Sequence, residues 1–153
     1  MRELFNTINV DGVATNAHIW LWRRLPHPDT LVPGGPEIDF GIQTDDTFLL
    51  GEAKWRSSVG AAQGVNRDKD QMTLRREFYE KYGSRLLRTV KHYVVLGVSW
   101  HGGIAAPTQT ESAGVCLYVK DTTWEVLSGF SSHPCPEELR RYLEWKTRYS
   151  QSD

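Results

Sequence analysis

The spacing of apolar positions changes along the chain, and the changes mark out its elements. Leu4, Phe5 and Ile8 share one side of a helix, so residues 1–10 predict a short helix that Asp11-Gly12 ends. Between 14 and 25 the apolar cluster Ile19, Trp20, Leu21, Trp22 follows neither a period of 2 nor one of 3.6. Pro26, Pro28, Pro33 and Pro36, with Gly34-Gly35, then predict a loop over 26–36. Two apolar-rich runs, Ile38–Gln43 and Thr47–Trp55, flank Asp45-Asp46, the pattern of two strands joined by a tight hairpin. Ser57–Gly60 reads as a turn. Residues 66–82 predict a highly charged helix with Met72, Leu74, Phe78, Tyr79 and Tyr82 as its buried stripe and Gly83 as its stop. The β-branched run within Lys91–Trp100 predicts a central strand covered on both faces. A long polar loop, 101–114, separates it from two short strands, 115–120 and 123–127, around a turn at Lys120-Asp121-Thr122. A helix over 137–149 follows, with Leu139, Tyr142, Leu143 and Trp145 for packing.

The hairpin is the most informative stretch. A two-residue turn at Asp45-Asp46 pairs Asp39 with Glu52 and Glu37 with Lys54. All four then share one face of the sheet, with Ile38, Phe40, Ile42, Leu49, Ala53 and Trp55 on the other. Like charges directly opposite destabilise a sheet, so Asp39 against Glu52 calls for a compensating charge, and a divalent cation would supply it. The plain alternative is a solvated charged face with Glu37–Lys54 as an ordinary cross-strand pair.

Pro36-Glu37-Ile38-Asp39 on one strand and Glu52-Ala53-Lys54 on the next, followed by Trp55-Arg56, resemble the signature of the PD-(D/E)XK nuclease superfamily. The likeness covers roughly residues 36–56. It implies the restriction-endonuclease-like α/β fold: an α-β-β-β-α-β core with a central mixed sheet flanked by helices. In that core His18–Arg24 becomes a strand. The resemblance further implies that Asp39, Glu52 and the Ala53 carbonyl hold Mg²⁺, for which Mn²⁺ can substitute. Lys54 would orient or deprotonate the attacking water or stabilise the charged phosphorane. Glu37 would assist a second metal or hold Lys54 in place. The family's first helix often contributes an acid, and Glu3 is the sole glutamate before Glu37, with Asn16 as a polar alternative. Many members carry a helical glutamine followed four residues later by tyrosine. Here Gln63 and Gln71 are followed at that spacing by Arg67 and Arg75, so this submotif is absent, and Gln71 is the better-placed candidate.

Size and composition set the remaining limits. The chain has 153 residues, 39% hydrophobic and 24% charged, which suits one soluble globular domain spanning 1–153. Between Lys54 and Lys91 stand ten basic and four acidic residues, a net of +6, leaving −7 for the rest of a chain of net charge −1. That asymmetry makes Arg56, Arg67, Lys69, Arg75 and Arg76 candidates for a nucleic-acid-binding face beside an acidic site. A solvated helix with i,i+4 pairs accounts for the same charges. No apolar run is long enough for a membrane span, and the start MRELFNTINVDG lacks the layout of a signal peptide. The expected compartment is the cytoplasm, with Cys116 and Cys135 reduced. There is no P-loop, no G-x-S-x-G elbow, no H-E-x-x-H and no zinc-site spacing. The expected function is a metal-dependent endonuclease hydrolysing phosphodiester bonds, in DNA before RNA. It would cut by structure rather than sequence, as a homodimer, or as part of a larger system. The alternative is a non-catalytic nucleic-acid-binding or assembly module on the same fold.

Overall fold

The structure, a computed structural model, describes residues 1–26, 29, 33–56 and 68–150. Helix α1 (Arg2–Thr7) precedes an antiparallel meander of β1 (His18–Pro26), β2 (Pro33–Gln43) and β3 (Thr47–Ala53). Helix α2 (Gln71–Leu86) lies between β3 and β4 (His92–Ser99), which pair in parallel, as a connection through a helix allows. Then come β5 (Thr108–Ser112), β6 (Val115–Thr123), α3 (Trp124–Ser128) and α4 (Pro136–Tyr149). The strands form one six-stranded mixed sheet in the order β1-β2-β3-β4-β6-β5. Among the described residues no helix is long and apolar enough to cross a membrane.

The hairpin has the register its turn implies: Phe40 pairs with Gly51, Gly41 with Leu50, Ile42 with Leu49 and Gln43 with Phe48. Thr44 N–H donates to the Thr47 carbonyl at 2.9 Å, closing a turn over Asp45-Asp46. The turn carboxylates hold the preceding segment: Asp46 accepts from Val13 N–H at 2.8 Å, and Asp45 from Thr15 Oγ1 and Asn16 Nδ2, each at 2.9 Å. Asn16 is therefore a structural partner of the turn. Across the ladder, aromatic rings lie over glycines. A Cβ on Gly51 would fall 2.1 Å from the Phe40 ring, and one on Gly41 2.4 Å from Trp20, so both glycines are required by close approach.

The sheet is buried on both faces. Phe48, Leu50, Tyr93, Val95 and Val119 pack beneath α2 with Met72, Phe78, Tyr79 and Tyr82. Leu49, Val94, Leu96, Val98 and Tyr118 face the other way, against Leu4, Phe5 and Ile8 of the α1 segment. Strand β4 thus contributes to both cores, as its β-branched composition predicts. Leu49, Leu50, Val94 and Val95 are fully buried, each worth roughly 1.5–3 kcal/mol relative to exposure.

Several boundaries differ from the sequence reading. Helix α2 starts at Gln71, where the Asp70 carboxylate accepts from Thr73 N–H at 2.6 Å as N-cap. It runs through Gly83 rather than stopping there. Gly83 is set by packing, since a Cβ would meet the Tyr93 ring at 2.7 Å. The predicted 26–36 loop is shortened because β2 already begins at Pro33, paired with Pro26. The predicted 101–114 loop contains β5, an edge strand whose residues are all exposed and which exists through pairing with β6. The predicted strand 123–127 is helix α3: the Thr123 hydroxyl accepts from Val126 N–H at 3.2 Å and starts a helix directly after β6. In α4, Leu143 is buried, whereas Tyr142 and Trp145 are exposed. The Ser57–Gly60 turn, Gln63 and Arg67 lie outside the described residues.

Candidate active site at the end of β3

The alternation of β2 breaks at Asp39. The β1–β2 pairing runs regularly from His18–Gln43 to Leu21–Phe40, resumes at Arg23–Ile38, and skips Trp22 and Asp39. Trp22 has φ of 45°, in the left-handed region that bulky side chains avoid. On one side of the skip Ile38 packs with Phe48 and Leu50 under α2. On the other, Phe40 and Ile42 turn to the opposite core. The β2–β3 ladder ends at Phe40–Gly51, one position short of Asp39 and Glu52. Asp39 and Glu52 therefore stand just beyond the paired ladder rather than forming a ladder pair, which corrects the picture of four charges paired on one face. Its Oδ2 accepts the Ala53 backbone N–H at 2.7 Å, and the residue lines a cavity with Phe40 and Ala53.

Glu52 continues the alternation of Phe48 and Leu50 and is buried under α2, 3% exposed. Arg75, 1% exposed, donates to Glu52 Oε2 and to the Glu37 carbonyl. Lys54 Nζ lies 2.6 Å from Glu52 Oε1. Each oxygen of Glu52 thus has its own cation, and these cations supply the compensation that the sequence reading assigned to a metal. Burial pulls the Arg75 guanidinium below its usual pKa, opposed first by Glu52 and then by Asp39. Glu37 pairs with Arg24, not with Lys54. The predicted Glu37–Lys54 pair is absent; Lys54 instead pairs with Glu52, two residues before it.

Tryptophans hold the Glu52-Ala53-Lys54 segment from its far end. Lys54 N–H donates to the Val98 carbonyl at 2.8 Å, and the Lys54 carbonyl accepts from Trp124 Nε1 at 2.8 Å. Trp55 packs on Trp100 with ring centroids 4.8 Å apart and donates from Nε1 to Ser150 Oγ at 2.8 Å. The Lys146 ammonium sits 4.4 Å from the Trp55 ring. Sequence reasoning missed Trp124 and Arg75. Trp124 stood in a predicted strand, and Arg75 looked like one more charge on a basic helix.

The remaining candidates are dispersed. Gln71 opens α2 and makes no hydrogen bond to Asp39, Glu52 or Lys54; the helix residue that reaches the site is Arg75, one turn later. Among the nucleic-acid-binding candidates, Arg75 is corrected to an internal counterion, because it is buried. Arg56 donates to the Thr147 and Ser150 carbonyls at 3.2 and 3.3 Å, at the C-terminal end of α4. Lys69 pairs with Glu77 at 2.8 Å, and Arg76 with Glu80 at 3.5 Å, an i,i+4 pair of the solvated-face kind.

Glu3 is fully engaged elsewhere. Its carboxylate accepts from the backbone N–H and hydroxyl of both Ser131 and Ser132. These bonds, the Ser132 hydroxyl first, lower its pKa from 4.5 to about 2. A depressed carboxylate contributes stability above its unfolded pKa and loses it as pH falls through the folded value. Glu3→Gln is therefore expected to lower the melting temperature at neutral pH. The gap to wild type should narrow from about pH 4.5 downward and close near pH 2. A gap that stays constant with pH would show that the charge on Glu3 contributes nothing.

Beside Asp39 the sheet face opposite α2 opens into a cavity of about 710 Å³, with Trp22, Phe40, Ile42, Leu96, Trp124 and Phe130 among its walls. Among the described residues no group of three or more His, Cys, Asp or Glu side chains is placed to hold a metal ion. The donor chemistry of Asp39, Glu52 and the Ala53 carbonyl nonetheless suits Mg²⁺, which takes oxygen ligands and keeps several waters. The second oxygen of Asp39 has no donor among the described residues, while the two oxygens of Glu52 are taken by Lys54 and Arg75. Compared with known proteins, the chain matches no family model, and no curated protein shows significant sequence similarity to it.

Proposed function

We propose that this chain is a metal-dependent nuclease of the PD-(D/E)XK type, hydrolysing phosphodiester bonds in DNA. The observation that carries the proposal is the meeting of Asp39 with Ala53 N–H at 2.7 Å, within a Glu52-Ala53-Lys54 segment whose lysine contacts its glutamate at 2.6 Å. The order α1-β1-β2-β3-α2-β4 supports it more coarsely. Asp39, Glu52 and the Ala53 carbonyl would hold Mg²⁺ or Mn²⁺, which supplies a water of lowered pKa and polarises the phosphate. Arg75 keeps Glu52 oriented through Oε2 while Lys54 leaves Oε1. Once free of Glu52, the Lys54 ammonium positions the water or offsets negative charge developing on the phosphate. Trp124 holds the Lys54 backbone still while its side chain moves.

A second reading has its own observation. Asp39, Glu52, Lys54 and Arg75 form a set with no net charge, and both Glu52 oxygens are occupied without any metal. Such a set also suits a non-catalytic nucleic-acid-binding or assembly module. Incubation with single-stranded, duplex and branched DNA separates the two. On the nuclease reading cleavage occurs with Mg²⁺ or Mn²⁺ and stops with EDTA, and Mg²⁺ raises the melting temperature. Cleavage indifferent to chelation, or no cleavage together with no metal-dependent stabilisation, would leave the binding module.

A further inference from the structure

The cavity of about 710 Å³ next to Asp39 falls within the range of roughly 300–1,000 Å³ typical of ligand sites. Its walls are largely aromatic and aliphatic, but Asp39 and Ala53 belong both to the wall and to the proposed phosphodiester site. Whatever fills the cavity is therefore adjacent to the phosphate that would be cut. At its mouth Trp22 is 80% exposed and sits at φ of 45°. An exposed tryptophan in a strained backbone has no packing that explains it, and such strain concentrates at ligand sites.

We propose that this cavity receives an unpaired nucleobase of the strand being cut, so that the substrate is single-stranded or carries an unpaired nucleotide. This rests on the nuclease reading for its location only. Any base presents a π face for stacking on aromatic side chains, which binds single strands with little sequence preference. Lys54, the residue after the wall residue Ala53, is the cation that would meet a flanking phosphate. A fatty chain would instead lie against the polar Asp39 side chain, which is costly without a hydrogen-bond partner. A base in a duplex is already stacked and cannot enter without leaving its neighbours.

The test is fluorescence anisotropy with a labelled oligothymidylate and with a duplex of equal length, both in EDTA so that nothing is cut. Wild type is expected to bind the single strand at least about tenfold more tightly than the duplex. Trp22→Gly should weaken single-strand binding by roughly tenfold, the scale of losing one stacked base, and leave duplex binding unchanged. Because Trp22 is exposed and glycine accepts positive φ, the variant should melt no lower than wild type. Leu139→Trp, which fills the cavity from α4, should weaken single-strand binding with Trp22 intact. Equal affinity for the two DNA forms, or full single-strand affinity in both variants, would overturn the proposal. So would a wild-type dimer that Trp22→Gly splits, since the face would then belong to a second copy. Single-strand binding without cleavage in Mg²⁺ would keep the pocket and remove the nuclease; cleavage with Trp22→Gly unimpaired on single strands would do the reverse.

Discussion

Arg75→Leu is expected to destabilise the fold by about 3–5 kcal/mol, the usual consequence of removing one partner of a buried ion pair. Glu52 would be left 3% exposed, with Lys54 on one oxygen and nothing on the other. The pair itself contributes little net stability, because burying two charges costs about what their attraction returns. Replacing both residues, as Arg75→Leu with Glu52→Leu, should therefore recover most of the loss. Arg75→Lys should fall between, since lysine keeps the positive charge but does not place its nitrogen where the guanidinium Nη2 donates to both the Glu52 carboxylate and the Glu37 carbonyl. Denaturant midpoints at a common slope measure all three. A single Arg75→Leu variant within about 0.5 kcal/mol of wild type, the range of ordinary surface substitutions, would return Arg75 to the exposed basic face.

Asp39→Asn and Lys54→Ala are each expected to reduce cleavage by a factor on the order of a hundred or more, since one removes a carboxylate ligand and the other a positioned charge. The geometry makes these two substitutions cleaner than Glu52→Gln. Asparagine can still accept the Ala53 N–H, so the strand end keeps its tie. Lys54 is partly exposed, and in Lys54→Ala the buried Glu52 keeps Arg75 as its counterion. Glu52→Gln strips the buried Arg75 of its counterion and should unsettle the fold as well as the chemistry. Opposed Asp39 and Glu52 charges alone would leave the metal-free protein as stable or slightly more stable when either is neutralised; the ion pairs of Glu52 reverse this for Glu52→Gln. Single-turnover cleavage beside melting curves decides the matter. Retained cleavage in both Asp39→Asn and Lys54→Ala, with normal folding, would sink the proposed site.

The strand pairing of the hairpin could be read from the chain because its cause is local. A two-residue turn and a period of two leave one register, and Trp20 over Gly41 and Phe40 over Gly51 complete it. The central position of β4 was likewise written in its β-branched run, since a strand buried on both faces has no polar alternation. The charged residues were another matter. Asp39 turns to Ala53 because β1 and β2 skip a pair at Trp22, and that skip depends on a partner strand a dozen or more residues away. Arg75 becomes a counterion only because α2 crosses above Glu52; along the helix alone it is indistinguishable from Arg76, which pairs with Glu80. Strand β5 has no apolar pattern and forms because β6 offers it an edge. The chain alone therefore determined the hairpin and the central strand, whose local spacing admits a single arrangement. Which charges meet was decided only by the tertiary structure, because a charge carries no directional signal until another element is packed beside it.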